Sequence, residues 1–197
     1  MATLYALAAV TQTILGILAD ARPKPEFDDA KFEAFQFKDF QREPPISLGM
    51  SLYLYRVSVN ASQRNMPPSV DIDGRMRHRL PLDLHYMITA WAMTAINQQR
   101  LLGWCMRTLE DTSCLSATLL NNYGRPERSF HPAESVQLLY DPMSLQDTIQ
   151  LWDVLKPNIQ LSVTYTARVV YLESPLEMGG EEPVQSRELR MVKWPPA

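Results

Sequence analysis

Two stretches of alternating hydrophobic residues constrain this chain more than any other feature of its sequence. Residues 51–59 read Ser-Leu-Tyr-Leu-Tyr-Arg-Val-Ser-Val and residues 80–89 read Leu-Pro-Leu-Asp-Leu-His-Tyr-Met-Ile-Thr. The first is rich in aromatic and β-branched side chains, and the two-residue period of both belongs to a strand with one face buried. In the first, Leu52, Leu54 and Arg56 share a face, with Tyr53, Tyr55, Val57 and Val59 on the other. In the second, Leu80, Leu82, Leu84, Tyr86 and Ile88 oppose Asp83 and His85, and Pro81 fits the start of a strand or an edge. A third such run spans 161–172, where Val163, Tyr165, Ala167, Val169 and Tyr171 alternate with Ser162, Thr164, Thr166, Arg168 and Val170. Shorter strands are expected at 33–39 and 136–140, and a polar edge strand at 187–192.

Helical spacing accompanies these strands. Leu4, Leu7, Ala8, Thr11, Ile14, Leu15 and Leu18 follow a 3.6-residue repeat, with Thr3 as N-cap and Arg22-Pro23 as the stop. Residues 90–111 read as a long helix in which Gly103 permits close approach of another backbone. Residues 114–120 are a short continuation or a strand, and 121–126 have turn chemistry. Ser144, with Asp147 three residues on, caps a helix to Leu155 that carries Leu145, Ile149 and Trp152. Together these elements make one α/β (α+β) domain over 1–197, a twisted, mixed, largely antiparallel sheet packed by helices. The 173–197 segment is a polar C-terminal stretch.

The N-terminal apolar stretch has no basic residue before it and is interrupted by Thr11-Gln12-Thr13, unlike a signal peptide. It is also shorter than the roughly 20 apolar residues of a membrane span. No direct membrane insertion is expected. Nineteen basic against twenty-two acidic residues give a net charge of −3, which supplies no general attraction to nucleic acid. Fifteen Pro against seven Gly point to loops stiffened by fixed φ. On one helix, Cys105 and Cys114 would fall on opposite faces, so they are expected as free thiols in packing roles.

The three histidines, His78, His85 and His131, are scattered. The chain contains no G-x-S-x-G, Walker loop, G-x-G-x-x-G or H-E-x-x-H pattern. Neither catalytic residues, a metal site, a cofactor nor a small-molecule substrate is expected. The acidic pairs Asp28-Asp29, Asp71/Asp73 and Glu181-Glu182 read as solvated turns. One local charge feature stands out. The irregular stretch 61–79 is longer than an ordinary loop and places Arg64 with Arg75, Arg77, His78 and Arg79, as an extended hairpin tip. Arg64, Arg75, Arg77 and Arg79 are the candidate partner-interface residues, for an acidic protein surface or, alternatively, for nucleic acid in a small adaptor domain.

Four blocks in order carry a family resemblance. They are Ser51-Leu-Tyr-Leu-Tyr-Arg-Val57 followed by Asn60 and Arg64-Asn65; Leu80-Pro-Leu-Asp-Leu-His-Tyr-Met-Ile-Thr-Ala-Trp91; Leu101-Leu-Gly-Trp-Cys-Met-Arg-Thr-Leu-Glu-Asp111; and Leu151-Trp-Asp-Val-Leu155 with Leu161-Ser-Val-Thr-Tyr165 and Arg168-Val-Val170. Over about residues 1–172 the chain resembles the cap, or tail-terminator, proteins of phage-tail-like contractile injection particles. The resemblance implies a tail-terminator-like fold and a homo-oligomer, a six-fold ring. That ring would end the inner tube and sheath, bind both, stop their polymerisation and catalyse nothing. It also implies cytoplasmic assembly followed by residence in a particle. Some relatives continue into a further C-terminal domain, for which 197 residues leave no room.

Overall fold

The computed structural model describes residues 4–41, 46–67, 69–70, 76–124, 129–155 and 159–174. Its centre is a six-stranded sheet in the order β1-β2-β5-β8-β7-β6, formed by β1 (Lys31–Phe35), β2 (Gly49–Val59), β5 (Arg79–Trp91), β8 (Ser162–Glu173), β7 (Ser135–Tyr140) and β6 (Cys114–Ser116). Only the β1–β2 pair is parallel and the other four are antiparallel, so the expected mixed, largely antiparallel sheet is what forms. The three alternating runs are its three central strands. They are the longest and carry the most apolar residues, so they take the positions with neighbours on both sides.

One face is covered by α1 (Ala6–Ala21), α2 (Ala95–Asp111) and α3 (Ala117–Tyr123). Val10, Ile14 and Leu18 of α1 are fully buried there with Leu52, Leu84, Tyr86 and Ile88. Each large aliphatic gains about 1.5–3 kcal/mol of transfer free energy from such burial. Tyr86 donates its hydroxyl to Thr11 Oγ1 at 2.9 Å, since Thr11 spends its own proton on the Leu7 carbonyl at 3.1 Å. Burial pushes the Tyr86 phenol well above its ordinary pKa. α1 and α3 meet at glycines: a Cβ on Gly16 would overlap the Tyr123 ring, and one on Gly124 would overlap Ala9.

The second face carries a smaller core of Phe35, Phe40, Ile46, Met87, Trp91, Trp152 and Leu155, under α4 (Leu145–Leu155) and a short 3-10 helix, Phe37–Gln41. Phe40 packs edge-on to Phe35 (5.1 Å), Tyr53 (5.3 Å) and Trp152 (5.8 Å).

Several local expectations are corrected. The strand expected at 33–39 ends at Phe35, because the chain coils into the 3-10 turn that swings Phe40 onto the second face. The helix expected from residue 90 starts at Ala95: Trp91 stays in the sheet, buried and donating to Ser51 Oγ at 2.8 Å, and Thr94 caps α2 by accepting from Asn97 N. Of residues 114–120, Cys114–Ser116 form the strand β6, while Ala117 onward is not a continuation of α2 but a separate helix, α3, which absorbs Asn121–Tyr123 of the expected turn. Tyr5, not Thr3, precedes α1, and Thr3 lies outside the described residues. A Cβ on Gly103 would meet nothing within 4 Å, so this glycine admits no neighbouring backbone. Cys105 is buried on α2, whereas Cys114 is exposed on β6, and both are free thiols. The 187–192 strand lies outside the described residues. The Ser144–Asp147 cap forms as read, with Asp147 N donating to Ser144 Oγ and that hydroxyl donating to the Asp147 carboxylate.

Candidate functional site

Two β-bulges shape the part of the sheet beyond α4. In β2 the register with β5 slips between Leu54 and Arg56. Arg56 therefore falls opposite His85, on the face that carries Asp83, and not beside Leu52 and Leu54 as strict alternation required. In β8 the register slips opposite Asp83, and Val169 takes φ 61°. That conformation is rare for a β-branched residue. It persists here because Asp83 Oδ1 accepts from the Val169 amide at 3.0 Å while the same carboxylate accepts from Asn60 Nδ2 at 2.9 and 3.1 Å.

Beside this pair runs a directional hydrogen-bond chain. Thr166 donates to Asp141 Oδ2 at 2.7 Å, so its oxygen accepts from His85 Nδ1–H at 3.0 Å. On the other side of the ring, His85 Nε2 is hydrogen-bonded to the Ser58 hydroxyl at 2.8 Å. The Tyr55 ring lies 6.1 Å from the imidazole. Burial first, and then the carboxylates of Asp141 and Asp147 against an opposing Arg56, raise the Tyr55 pKa. The chain ties β2, β5, β8 and the segment entering α4, which fixes where that helix crosses the second face. Ser58, His85 and Thr166 were visible in the sequence only as polar positions of three alternating strands, Asp141 was not singled out, and pattern alone does not say that the four meet.

The loop between β2 and β5 carries the candidate interface arginines. Within it, β3 (Ser69–Val70) and β4 (Met76–Arg77) pair antiparallel, in keeping with a hairpin tip. Arg64 is exposed, the backbone of Arg77 lies in β4, and Arg75 lies outside the described residues. Arg79 is engaged at the loop's base. Its guanidinium contacts Glu173 Oε1 through Nε at 2.9 Å and a terminal nitrogen at 2.8 Å, and sits 5.5 Å over the Tyr171 ring. Tyr171 donates to Gln63, the Gln63 amide donates to Asn60 Oδ1, and Ser174 N donates to the His78 carbonyl. Both loop stems are thereby fixed to β8, and Arg79 serves that closure. His78 is exposed, and His131 is half-buried with Nδ1 accepting from the Ala133 amide. Among the described residues, no cluster of His, Cys, Asp or Glu has metal-site geometry, and no helix is long and apolar enough to cross a membrane.

With this fold in hand, the family can be read. A family model described as the Pvc16 N-terminal domain matches residues 9–186. The chain belongs to the Pvc16 N-terminal domain family. Solved structures agree at the level of the fold. One is the sheath/tube terminator of PVC, an extracellular contractile injection system, in the extended state. It matches with TM-score 0.63 and 15% identity over 95% of this chain and 63% of its own. Another, the tube terminating cap of the anti-feeding prophage, matches with TM-score 0.60 and 15% identity over 92% of this chain and 60% of its own. The chain thus spans less than two thirds of the length of either structure. No curated protein matches it. The family match covers all four sequence blocks and extends to residue 186, beyond the 172 at which the resemblance was drawn.

Proposed function

We propose that this protein is a structural cap of a phage-tail-like contractile particle. It ends the inner tube and sheath, ties them together and stops further polymerisation. The supporting observation is the joint one: membership of the Pvc16 N-terminal domain family over residues 9–186, and a fold shared along 95% of this chain with a protein described as a sheath/tube terminator. The work is mechanical. Subunits assemble as a six-fold ring in the cytoplasm and remain on the finished particle, and no reaction, cofactor or small-molecule substrate takes part. Ring contacts are heterologous, with a different patch offered and received by each copy.

Within this reading, Arg64, Arg75 and Arg77 meet acidic groups on tube or sheath subunits, while Arg79 holds the loop base to Glu173. Reversing the first three to Glu leaves the subunit folded and lowers its retention on particles. Equal amounts of variant and native chain on purified particles would contradict that assignment. The cap reading itself is tested by gold-labelling an affinity-tagged chain on purified particles. Label at one end only is expected, and label along the shaft or none at all opposes it.

A further inference from the structure

The outer edge of β2 is only half occupied. β1 pairs with Gly49–Tyr53 and ends at Phe35, where the chain coils onto the second face. Among the described residues, no strand lies beside residues 54–59 on that side. The Asn60 amide donates to the Pro81 carbonyl at 2.9 Å. The alternation of an antiparallel pair then turns the backbone groups of Arg56 and Ser58 toward β5, and those of Val57 and Val59 outward. The Val57 and Val59 side chains lie opposite Leu84 and Leu82, on the helix-covered face, yet are 44% and 41% exposed. An open edge with apolar, β-branched side chains is a template for one more strand.

The last strand delivers the chain to the same end of the sheet. Glu173 pairs with Arg79, and the Ser174 amide donates to the His78 carbonyl at 3.0 Å, so β8 finishes at the loop end of β5, next to Val59 and Asn60. The position beyond β2 is three strand spacings from β8, about 15 Å. Residues 175–186, which include Pro175, Gly179-Gly180 and Pro183, can reach about 40 Å when extended. Residues 187–192 then read Arg-Glu-Leu-Arg-Met-Val, as long as the open stretch 54–59, with Leu189 and Met191 at two-residue spacing. Pro195-Pro196, which cannot donate to a ladder, follows closely.

We infer that residues 187–192 add to the sheet of their own subunit as a seventh strand, beside residues 54–59 of β2, with Leu189 and Met191 covering Val57 and Val59. The direction follows from the topology. β2 and β8 both run antiparallel to β5, so a chain leaving β8 reaches the open edge at Val59 and runs back toward Phe35, antiparallel to β2. Three points select this segment as the occupant: its reach exceeds the distance to be crossed, its length matches the open stretch, and its apolar alternation matches that of Val57 and Val59. The tether adds to these, because it presents the segment to the edge at millimolar effective concentration, ahead of any separate chain. The inference concerns the isolated subunit and goes beyond the cap reading without resting on it.

Amide hydrogen exchange of the full, isolated chain, read residue by residue by NMR at several protein concentrations, tests this. The Val57 and Val59 amides should be protected to within about tenfold of the Ser58 amide, which faces β5. Leu189→Pro combined with Met191→Pro should speed exchange at Val57 and Val59 by about tenfold or more and leave Ser58 unchanged. Leu189→Asp combined with Met191→Asp, which keeps every backbone donor and sets charge against the two valines, should act in the same direction. Free exchange at Val57 and Val59 in the parent, or protection that neither pair of substitutions changes, would overturn the inference. Protection that grows with protein concentration would also overturn it and assign the edge to a strand from a second copy. The cap reading is judged on particle length alone, so either can fail without the other.

Discussion

The carboxylate of Asp83 on β5 holds the backbone amide of Val169 on β8 at 3.0 Å, at the one described non-glycine residue with positive φ. A left-handed β-branched residue costs about 1–2 kcal/mol, so the bulge exists because Asp83 and its second partner Asn60 over-determine it. Replacing the carboxylate removes a charge-assisted hydrogen bond worth about 1.5–3 kcal/mol. Asp83→Ala should therefore lower unfolding free energy by about that amount. Val169→Asn, which tolerates the left-handed region, should raise it by about 1 kcal/mol. Chemical denaturation of the two variants checks both signs.

The glycines of α1 and α2 should respond oppositely to alanine. A Cβ on Gly103 meets nothing, so Gly103→Ala should stabilise the protein by about 1 kcal/mol through helix propensity alone. A Cβ on Gly16 runs into the Tyr123 ring, and overpacking of this kind costs about 1–3 kcal/mol. Thermal melts of the two single variants should move in opposite directions.

The two thiols should differ in reactivity. Burial pushes the Cys105 thiol well above its ordinary pKa, which keeps it protonated and unreactive at neutral pH. Cys114 is exposed. Alkylation with iodoacetamide in native buffer should modify Cys114 alone, and Cys105 should react only after denaturation. Peptide mass spectrometry reads the outcome, and native labelling of Cys105 would oppose the packing described here.

The arginines of the 61–79 loop should separate into two kinds. Arg79→Ala strands the carboxylate of Glu173, whose side chain is only 6% exposed, and loses the packing on Tyr171. It should destabilise the fold by about 1–3 kcal/mol and make the loop more sensitive to limited proteolysis. Arg64→Glu, at an exposed position, should leave stability within about 0.5 kcal/mol of the parent. Parallel melts and timed trypsin digests distinguish them.

The central strands were legible because their two-residue period is long and apolar, and the Ser144–Asp147 cap because its spacing is local. Misreadings came where one distant contact outweighs local pattern. Trp91 looks helical beside Ala95, yet its indole is held by Ser51, 40 positions earlier in the chain. Arg56 lies on the wrong side of a strict alternation because a bulge adds one residue, and no residue type in 54–56 signals it. Arg79 read as one of four equivalent cations. Only the pairing of β5 with β8 brings Glu173 opposite it. The Ser58–His85–Thr166–Asp141 chain was hidden for the same reason, since it joins residues from four segments.

The most direct test of the cap reading is the length distribution of particles from cells lacking this gene, measured by negative-stain electron microscopy. The account predicts tubes and sheaths of uncontrolled length, or none assembled, with uniform length restored by supplying the gene in trans. Particles of native, uniform length in the deletion strain would contradict it.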